Sequence, residues 1–119
     1  MAWHFSTDRP VYMQLAERIT RSVLTGEYQP GEQIPSVRQL AMEAAVNPNT
    51  VQHAFTELEG GGLIISRGTL GRFVTEDRAV IEACREQAAR RLVRDFIENI
   101  TQLSVTGQQA IAMIEEESL

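Results

Sequence analysis

The sequence predicts a mainly α-helical chain with a small two-stranded antiparallel wing and a helical tail. Three observations predict it. Three short stretches of apolar residues at helical spacing occupy residues 12–58, each opened by a polar or proline start signal. Two brief apolar runs, "LIIS" and "RFV", flank the glycine-bearing "RGTLG". A last apolar stripe then recurs every three or four residues across residues 81–103. At 119 residues the chain is one domain, or one small domain with an appendage. Its 43% hydrophobic content supports a packed but small core. Chains of this size often complete their burial by oligomerising.

The elements follow in order. "MAWHFSTDRP" is extended and is expected to lie against the body through Trp3 and Phe5. Asp8 and Pro10 resemble a helix start, a capping residue with proline in the first turn. Tyr12, Leu15, Ile19 and Leu24, flanked by Val23, give the inward face, and Gly26 ends the helix. "GEYQPGEQIP" is rich in turn residues. Ser36 caps a second helix, with Gln39 three residues on as a capping box prefers. Val37, Leu40 and Ala41 face inward, Ala44 and Ala45 close the helix, and Val46 is buried in the turn.

Asn47 caps a third helix with Pro48 at its first position, and glycines 60–62 stop it. Val51, Ala54, Phe55 and Leu58 form its inward stripe. Asn49, Thr50, Gln52 and His53 are left on the outward N-terminal side. Helices this short are marginal alone, so each start needs its cap. The polar crowd at residues 47–53 is what a helix needs if its first turn is to reach base edges in a major groove.

From Arg78 the pattern predicts one helix of about 25 residues, near 38 Å long at 1.5 Å per residue. Ile81, Cys84, Ala88, Leu92, Phe96, Ile100 and Leu103 mark its apolar stripe, widened by Ala89, Val93 and Ile97. Thr106 starts a last helix, again with a capping-box glutamine, Gln109. Ala110, Ile111 and Ile114 form its inner face. The acidic "EEESL" opposes the helix dipole, so fraying is expected near Glu116. A stripe this wide exceeds what a small wing domain or a ten-residue partner helix covers. The two tail helices therefore read as a dimerisation module built on Ile81, Cys84, Ala88, Leu92, Phe96, Ile100, Leu103, Ile111 and Ile114. An intramolecular hairpin folded onto the wing domain is the weaker alternative. The expected domains are residues 1–76 and 77–119.

Composition limits the function classes. The net charge of −5 counts against nucleic-acid binding, for which a basic surface is the usual footprint. All eleven basic residues are arginine, whose planar fork suits phosphate and guanine edges. One cysteine, Cys84, rules out an intramolecular disulfide and a cysteine-based zinc site. His4 and His53 have no ligand-spaced companions, so no metal site is expected. No nucleophile motif or phosphate loop occurs, so no enzyme and no cofactor are expected. The start has no signal-peptide character, and no segment approaches the roughly 20 apolar residues of a membrane span. A soluble, cytoplasmic protein is the expectation.

The stretch "PGEQIPSVRQLAMEAAVNPNTVQHAFTELEGGGLI" resembles the winged helix-turn-helix of GntR-type transcriptional regulators. "RPVYMQLAERITRSVLTGEYQPGEQIPS" before it and "GRFV" after it agree in order and spacing. The "VNPNTV" form and the short helical tail resemble the YtrA-like branch. The branch fused to an aminotransferase-like domain shares "PSVRQLA", but only some 40 residues follow the wing, too few for such an enzyme.

A two-fold axis through the tail duplicates the recognition helix, which predicts a homodimeric regulator, read as a repressor, on a palindromic double-stranded DNA operator with half-sites about one helical turn apart. The resemblance implies that Arg38 reaches a guanine edge or a phosphate and that Ser36 bonds a phosphate while capping. It places Asn47, Asn49, Thr50, Gln52 and His53 at the recognition-helix start, and Arg67, Thr69, Gly71 and Arg72 at the wing near a minor groove. A small-molecule effector of unstated identity, seated between the long helix and the winged domain, is compatible with it.

Two departures stand out. His53 occupies a position where the family often carries a basic residue, which makes that contact weaker or pH-dependent. The wing tip lacks one of two usual basic residues, and its first glycine is displaced. Each phosphate that goes unneutralised flattens the salt dependence by about 0.9 log units per log salt. Plainer readings stand beside these roles. Capping alone explains Ser36 and Asn47 about as well. Arg38 has Glu32 and Glu43 as alternative partners, though exposed pairs stabilise by only about 0–1 kcal/mol. A winged-helix protein-interaction module without DNA binding is the alternative function, and the acidic charge suits it.

Overall fold

The computed structural model describes residues 3–118. Met1, Ala2 and Leu119, which fall within the expected domain limits and the acidic end, lie outside the described residues. In chain order the elements are α1 (Val11–Leu24), α2 (Val37–Ala44), α3 (Pro48–Gly60), β1 (Ile64–Ser66), β2 (Arg72–Val74), α4 (Arg78–Thr101) and α5 (Gly107–Glu117). The fold is a winged helix-turn-helix followed by two further helices, mainly α with one two-stranded antiparallel sheet.

Two compact units divide the chain, Met1–Cys84 and Arg85–Leu119. In the first, Leu15, Ile19 and Val23 of α1 meet Leu40 and Ala41 of α2 and Val51, Ala54, Phe55 and Leu58 of α3. Ile34, Leu63, Ile64 and Val74 close the core from the wing side. Ile81, in the first turn of α4, is buried in the same cluster, and Cys84 packs half-buried against it. The first turns of α4 thus belong to the winged unit, past residue 76 where the sequence pattern suggested a limit. Tyr12, expected in the core, is only half-buried at its edge.

Three of the four expected caps form. Ser36 accepts from the Gln39 N–H at 3.1 Å while the Gln39 side chain accepts from the Ser36 N–H at 2.9 Å. Thr106 and Gln109 repeat this box at α5. Asn47 accepts from the Asn49 N–H at 2.8 Å, with Pro48 at the first helical position. The start of α1 differs from expectation. Pro10 is its N-cap and offers no side-chain bond, while Asp8 accepts instead from the Ser6 hydroxyl. The entry to α1 is stapled by Gln14, which accepts from the Ser6 N–H and donates to the carbonyls of Ser6 and Arg9. At the other end of the chain, α5 continues through Glu116 to Glu117, beyond the expected fraying point, where the Ser118 N–H and hydroxyl both donate to the Ile114 carbonyl.

The wing pairs Ile64 with Val74, Ile65 with Phe73 and Ser66 with Arg72. A third run of backbone joins it, although the sequence shows there only a turn. Gln33 bridges Phe73, the Ile34 N–H donates to the Arg72 carbonyl, and the Val74 N–H donates to the Glu32 carbonyl, both at 2.9 Å. This ties the segment before α2 to the outer strand of the wing and protects the edge of β2.

The turn between α2 and α3 passes through Ala45 in the left-handed region, at φ 58°. A Cβ in that region is crowded by the following carbonyl, and glycine is free of the penalty. Ala45→Gly is expected to raise stability by about 0.5–1 kcal/mol in chemical denaturation, with an unchanged slope.

Candidate nucleic-acid interface

The helix-turn-helix is built by two caps and one left-handed turn, and the caps decide which groups remain free. The Ser36 hydroxyl is exposed and already accepts a backbone bond, which leaves its own proton for an outside acceptor. Arg38, two residues on, is exposed. Neither Glu32 nor Glu43 forms an ion pair with it among the described residues. Its guanidinium is therefore available to a partner in front of the helix.

On α3, Val51, Ala54 and Phe55 are fully buried, which turns Asn49, Gln52 and His53 outward. Thr50 is half-buried between the two faces. The backbone amides of the first turn are already used: Asn49 N–H by the Asn47 side chain, Thr50 and Val51 N–H by the Asn47 carbonyl. Pro48 has none to give. The helix start therefore offers its side chains and its dipole to an anion, rather than a nest of open amides.

His53 is exposed, and its ring lies on that of Tyr12, centroids 3.5 Å apart and planes 9° from parallel. The stack joins the outer side of α3 to the start of α1. No local pattern signals it, because the two residues are far apart in the chain.

The wing tip is tightly closed. The Arg67 N–H donates to the Gly71 carbonyl at 2.8 Å, and a short 3-10 turn, Gly68–Leu70, carries the exposed Thr69. Gln33 Nε2 donates to the Leu70 carbonyl at 2.7 Å. Gly71 sits at φ 110°, a backbone conformation that favours glycine, and a Cβ there would also come within 2.6 Å of Nε2 at the movable end of the exposed Gln33 side chain. The exposed guanidinium of Arg67 lies 5.0 Å from the Phe73 ring centre.

Arg72 is engaged elsewhere. Its Nε donates to Glu59 Oε1 at 2.5 Å and its guanidinium covers the Phe55 ring at 4.8 Å, with only 23% of the side chain exposed. Its charge is committed to holding β2 against α3, and this sets it apart from Arg67. A signal for this lay in the sequence: Arg72 shares its strand face with the buried Val74 (period 2), and Phe55 and Glu59 are one helical turn apart.

In the tail, Ala88 and Ile100 are half-buried. Leu92 and Leu103 are 69% and 75% exposed, and Phe96, Ile111 and Ile114 are also exposed large apolar groups, as are Val93 and Ile97. Ala110 is the buried residue of α5. Ile81 and Cys84 belong to the winged core instead, so the uncovered part of the stripe starts after them. No helix of the described residues is long and apolar enough to cross a membrane.

Comparison with known proteins agrees with this geometry. Residues 11–74 match the family described as bacterial regulatory proteins, gntR family. The HTH-type transcriptional repressor YtrA of Bacillus subtilis (strain 168) is 38% identical over 68 residues, 57% of this chain and 52% of that protein. This chain therefore spans about half of that relative. A GntR family transcriptional regulator from Listeria monocytogenes superposes with a TM-score of 0.88 at 33% identity, over 94% of this chain and 98% of that one. AraR(DBD), solved in complex with operator ORX1, superposes at 0.59 with 25% identity, over 63% of this chain and 95% of that one.

The placement of Arg72 gives a direct check. Arg72→Ala is expected to cost about 1 kcal/mol of stability in denaturant unfolding, because it removes the ion pair and the cation–π contact together. It should leave the salt dependence of DNA binding unchanged, because its charge is already neutralised.

Proposed function

The chain belongs to the gntR family of bacterial regulatory proteins, and from that premise we propose that it is a repressor binding a palindromic DNA operator as a homodimer. It is a transcriptional regulator with a DNA-binding helix-turn-helix. The observation that carries the finer reading is the division of α3. Its apolar face is sealed, and its first two turns present Asn49, Gln52 and, stacked on Tyr12, His53 to the outside. Amide side chains at such a position read adenine edges in the major groove, and an arginine reads guanine or phosphate. Arg38 and the Ser36 hydroxyl supply the second set of contacts from the start of α2, with Asn47 and Thr50 beside them. Arg67 and Thr69 extend the footprint at the wing. Arg72 and Gly71 support the wing from within. A DNA-bound role puts the protein in the cytoplasm.

The dimer rests on the tail. Leu92, Val93, Phe96 and Ile97 on α4 and Ile111 and Ile114 on α5 are exposed, a concentration of large apolar side chains that marks an association surface. Leu92, Val93, Phe96 and Ile97 fall at i, i+1, i+4 and i+5, which puts all four on one side of α4. A second copy of the same stripe satisfies it with two-fold symmetry, and the symmetry duplicates α3 for the two half-sites of an operator. Bound across a promoter, such a dimer blocks polymerase access. The net charge of −5 favours a protein-binding wing instead, but the exposed first turn of α3 is polar where that reading needs apolar residues.

Selection of bound duplexes from a random pool tests the reading. A two-fold symmetric site is expected, with half-sites about one helical turn apart. On that site Arg38→Ala should lose about 1–3 kcal/mol and relax one base position. An asymmetric site, or an Arg38→Ala variant that loses nothing, contradicts it. Ile97→Glu is expected to convert the protein to a monomer in light scattering and to weaken operator binding, while the winged unit stays folded by circular dichroism.

A further inference from the structure

On the outward side of α3 one side chain has its direction set for it, and a role for what sets it rests on the DNA-binding reading above. Asn49, Gln52 and His53 all face out. Of these three, His53 has a ring stacked on it: the Tyr12 phenol lies parallel to the imidazole, with 9° between the planes and 3.5 Å between the centroids. Tyr12 is itself held from two sides. Its ring is half-buried against the core, on the same face of α1 as the buried Leu15 and Ile19. The helical turn that carries it is pinned by Gln14, which bonds the Ser6 backbone and the Arg9 carbonyl. His53 in turn precedes the fully buried Ala54, so its backbone is fixed by the packing of α3.

The stack covers one face of the imidazole and leaves its rim open. Both nitrogens lie in the plane of the ring, and among the described residues neither is hydrogen-bonded. An exposed histidine without a stacking partner changes rotamer freely and loses that freedom on binding. Here the ordering is done within the folded chain. A ring N–H held in a fixed plane suits a base edge, which presents its own groups in a plane. Guanine sets two acceptors, N7 and O6, side by side in the major groove, whereas adenine sets an amino group beside N7 that repels the same N–H. We propose that Tyr12 is a positioning residue for base recognition: its ring fixes the His53 imidazole so that a ring N–H meets a guanine edge. Tyr12 itself touches no base. The selectivity of α3 then depends on α1, which lies outside the helix-turn-helix pair of α2 and α3.

The full chain is titrated as the native protein and as His53→Ala, Tyr12→Leu, Tyr12→Phe and the Tyr12→Leu/His53→Ala double variant. Each is measured on the selected duplex and on duplexes changed at one base pair, after thermal melting has confirmed the fold. His53→Ala is expected to lose a preference for guanine at one position of each half-site. Tyr12→Leu is expected to reduce that same preference about fivefold and to leave the other positions as they were. Tyr12→Phe keeps the ring and should keep the preference. The double variant should be no less selective there than His53→Ala alone. A Tyr12→Leu variant that weakens every duplex alike, or whose loss adds to that of His53→Ala, overturns the role, since Tyr12 then only supports the fold. Proton NMR of the DNA-free native chain checks the stack without any change at Tyr12. The His53 ring protons, identified by their loss in His53→Ala, are expected upfield under the phenol, and unshifted resonances overturn the role. If the native chain binds and Tyr12→Leu is equally selective, the positioning role falls while the DNA-binding reading stands. If the native chain binds no duplex in the pool, that reading falls and the role falls with it.

Discussion

Phe55 is fully buried, and so are Val51 and Ala54 beside it. Together they fix the rotation of α3 about its own axis. Truncating a buried phenylalanine to alanine costs on the order of 3–5 kcal/mol, a large share of the roughly 5–15 kcal/mol that holds a small domain together. Turning α3 by even one residue would expose that face and bury Asn49 or Gln52 without partners, which costs further. The outward direction of the polar first turn is therefore a consequence of core packing. Arg72 adds to the same constraint by covering the edge of Phe55 and pairing with Glu59 at the end of α3. The wing and the helix are thus registered to one another through one aromatic ring.

The tail obeys the opposite logic. The winged unit buries one continuous apolar core, down to Ile81 and Cys84 at the start of α4, with Met42 and Leu70 left exposed outside it. Beyond them the stripe continues with large side chains exposed. Burial of apolar area is worth roughly 25 cal/mol per Å², so a stripe of this kind is a strong drive to association. On the proposed reading a two-fold partner meets that drive without any new sequence. The acidic charge is the remaining tension. It lowers non-specific attraction to a polyanion, so on the proposed reading affinity rests on a few well-placed groups: Arg38, Arg67 and the side-chain amides of α3.

Much of this fold was legible because its signals are local. Ser36, Asn47 and Thr106 form the bonds their sequence context foretells, since a cap needs only the next two or three residues. The inward stripe of α3 and the hairpin around residues 67–71 are legible for the same reason. What escaped depends on distant partners. Asp8 turns to Ser6 rather than to the helix start, and Gln14 does the stapling. Gln33 joins the wing from 40 residues before Phe73, and nothing near Gln33 marks it as a strand. Tyr12 meets His53 across two helices. For Arg72 the strand period marks an inward face shared with Val74, but its partners Glu59 and Phe55 lie on another element and show only in the structure. In the tail the periodicity is continuous, so it does not show where the chain stops covering its own core. Only the packing of Ile81 and Cys84 marks that point.

Two copies of α3, joined through the tails, are held to engage one stretch of duplex together. The mass of the protein–DNA complex in sedimentation equilibrium, on a duplex carrying one selected site, tests this most directly. The account predicts two chains per duplex across the whole binding range, with no stable intermediate holding one. A complex that saturates at a single chain per duplex would contradict it.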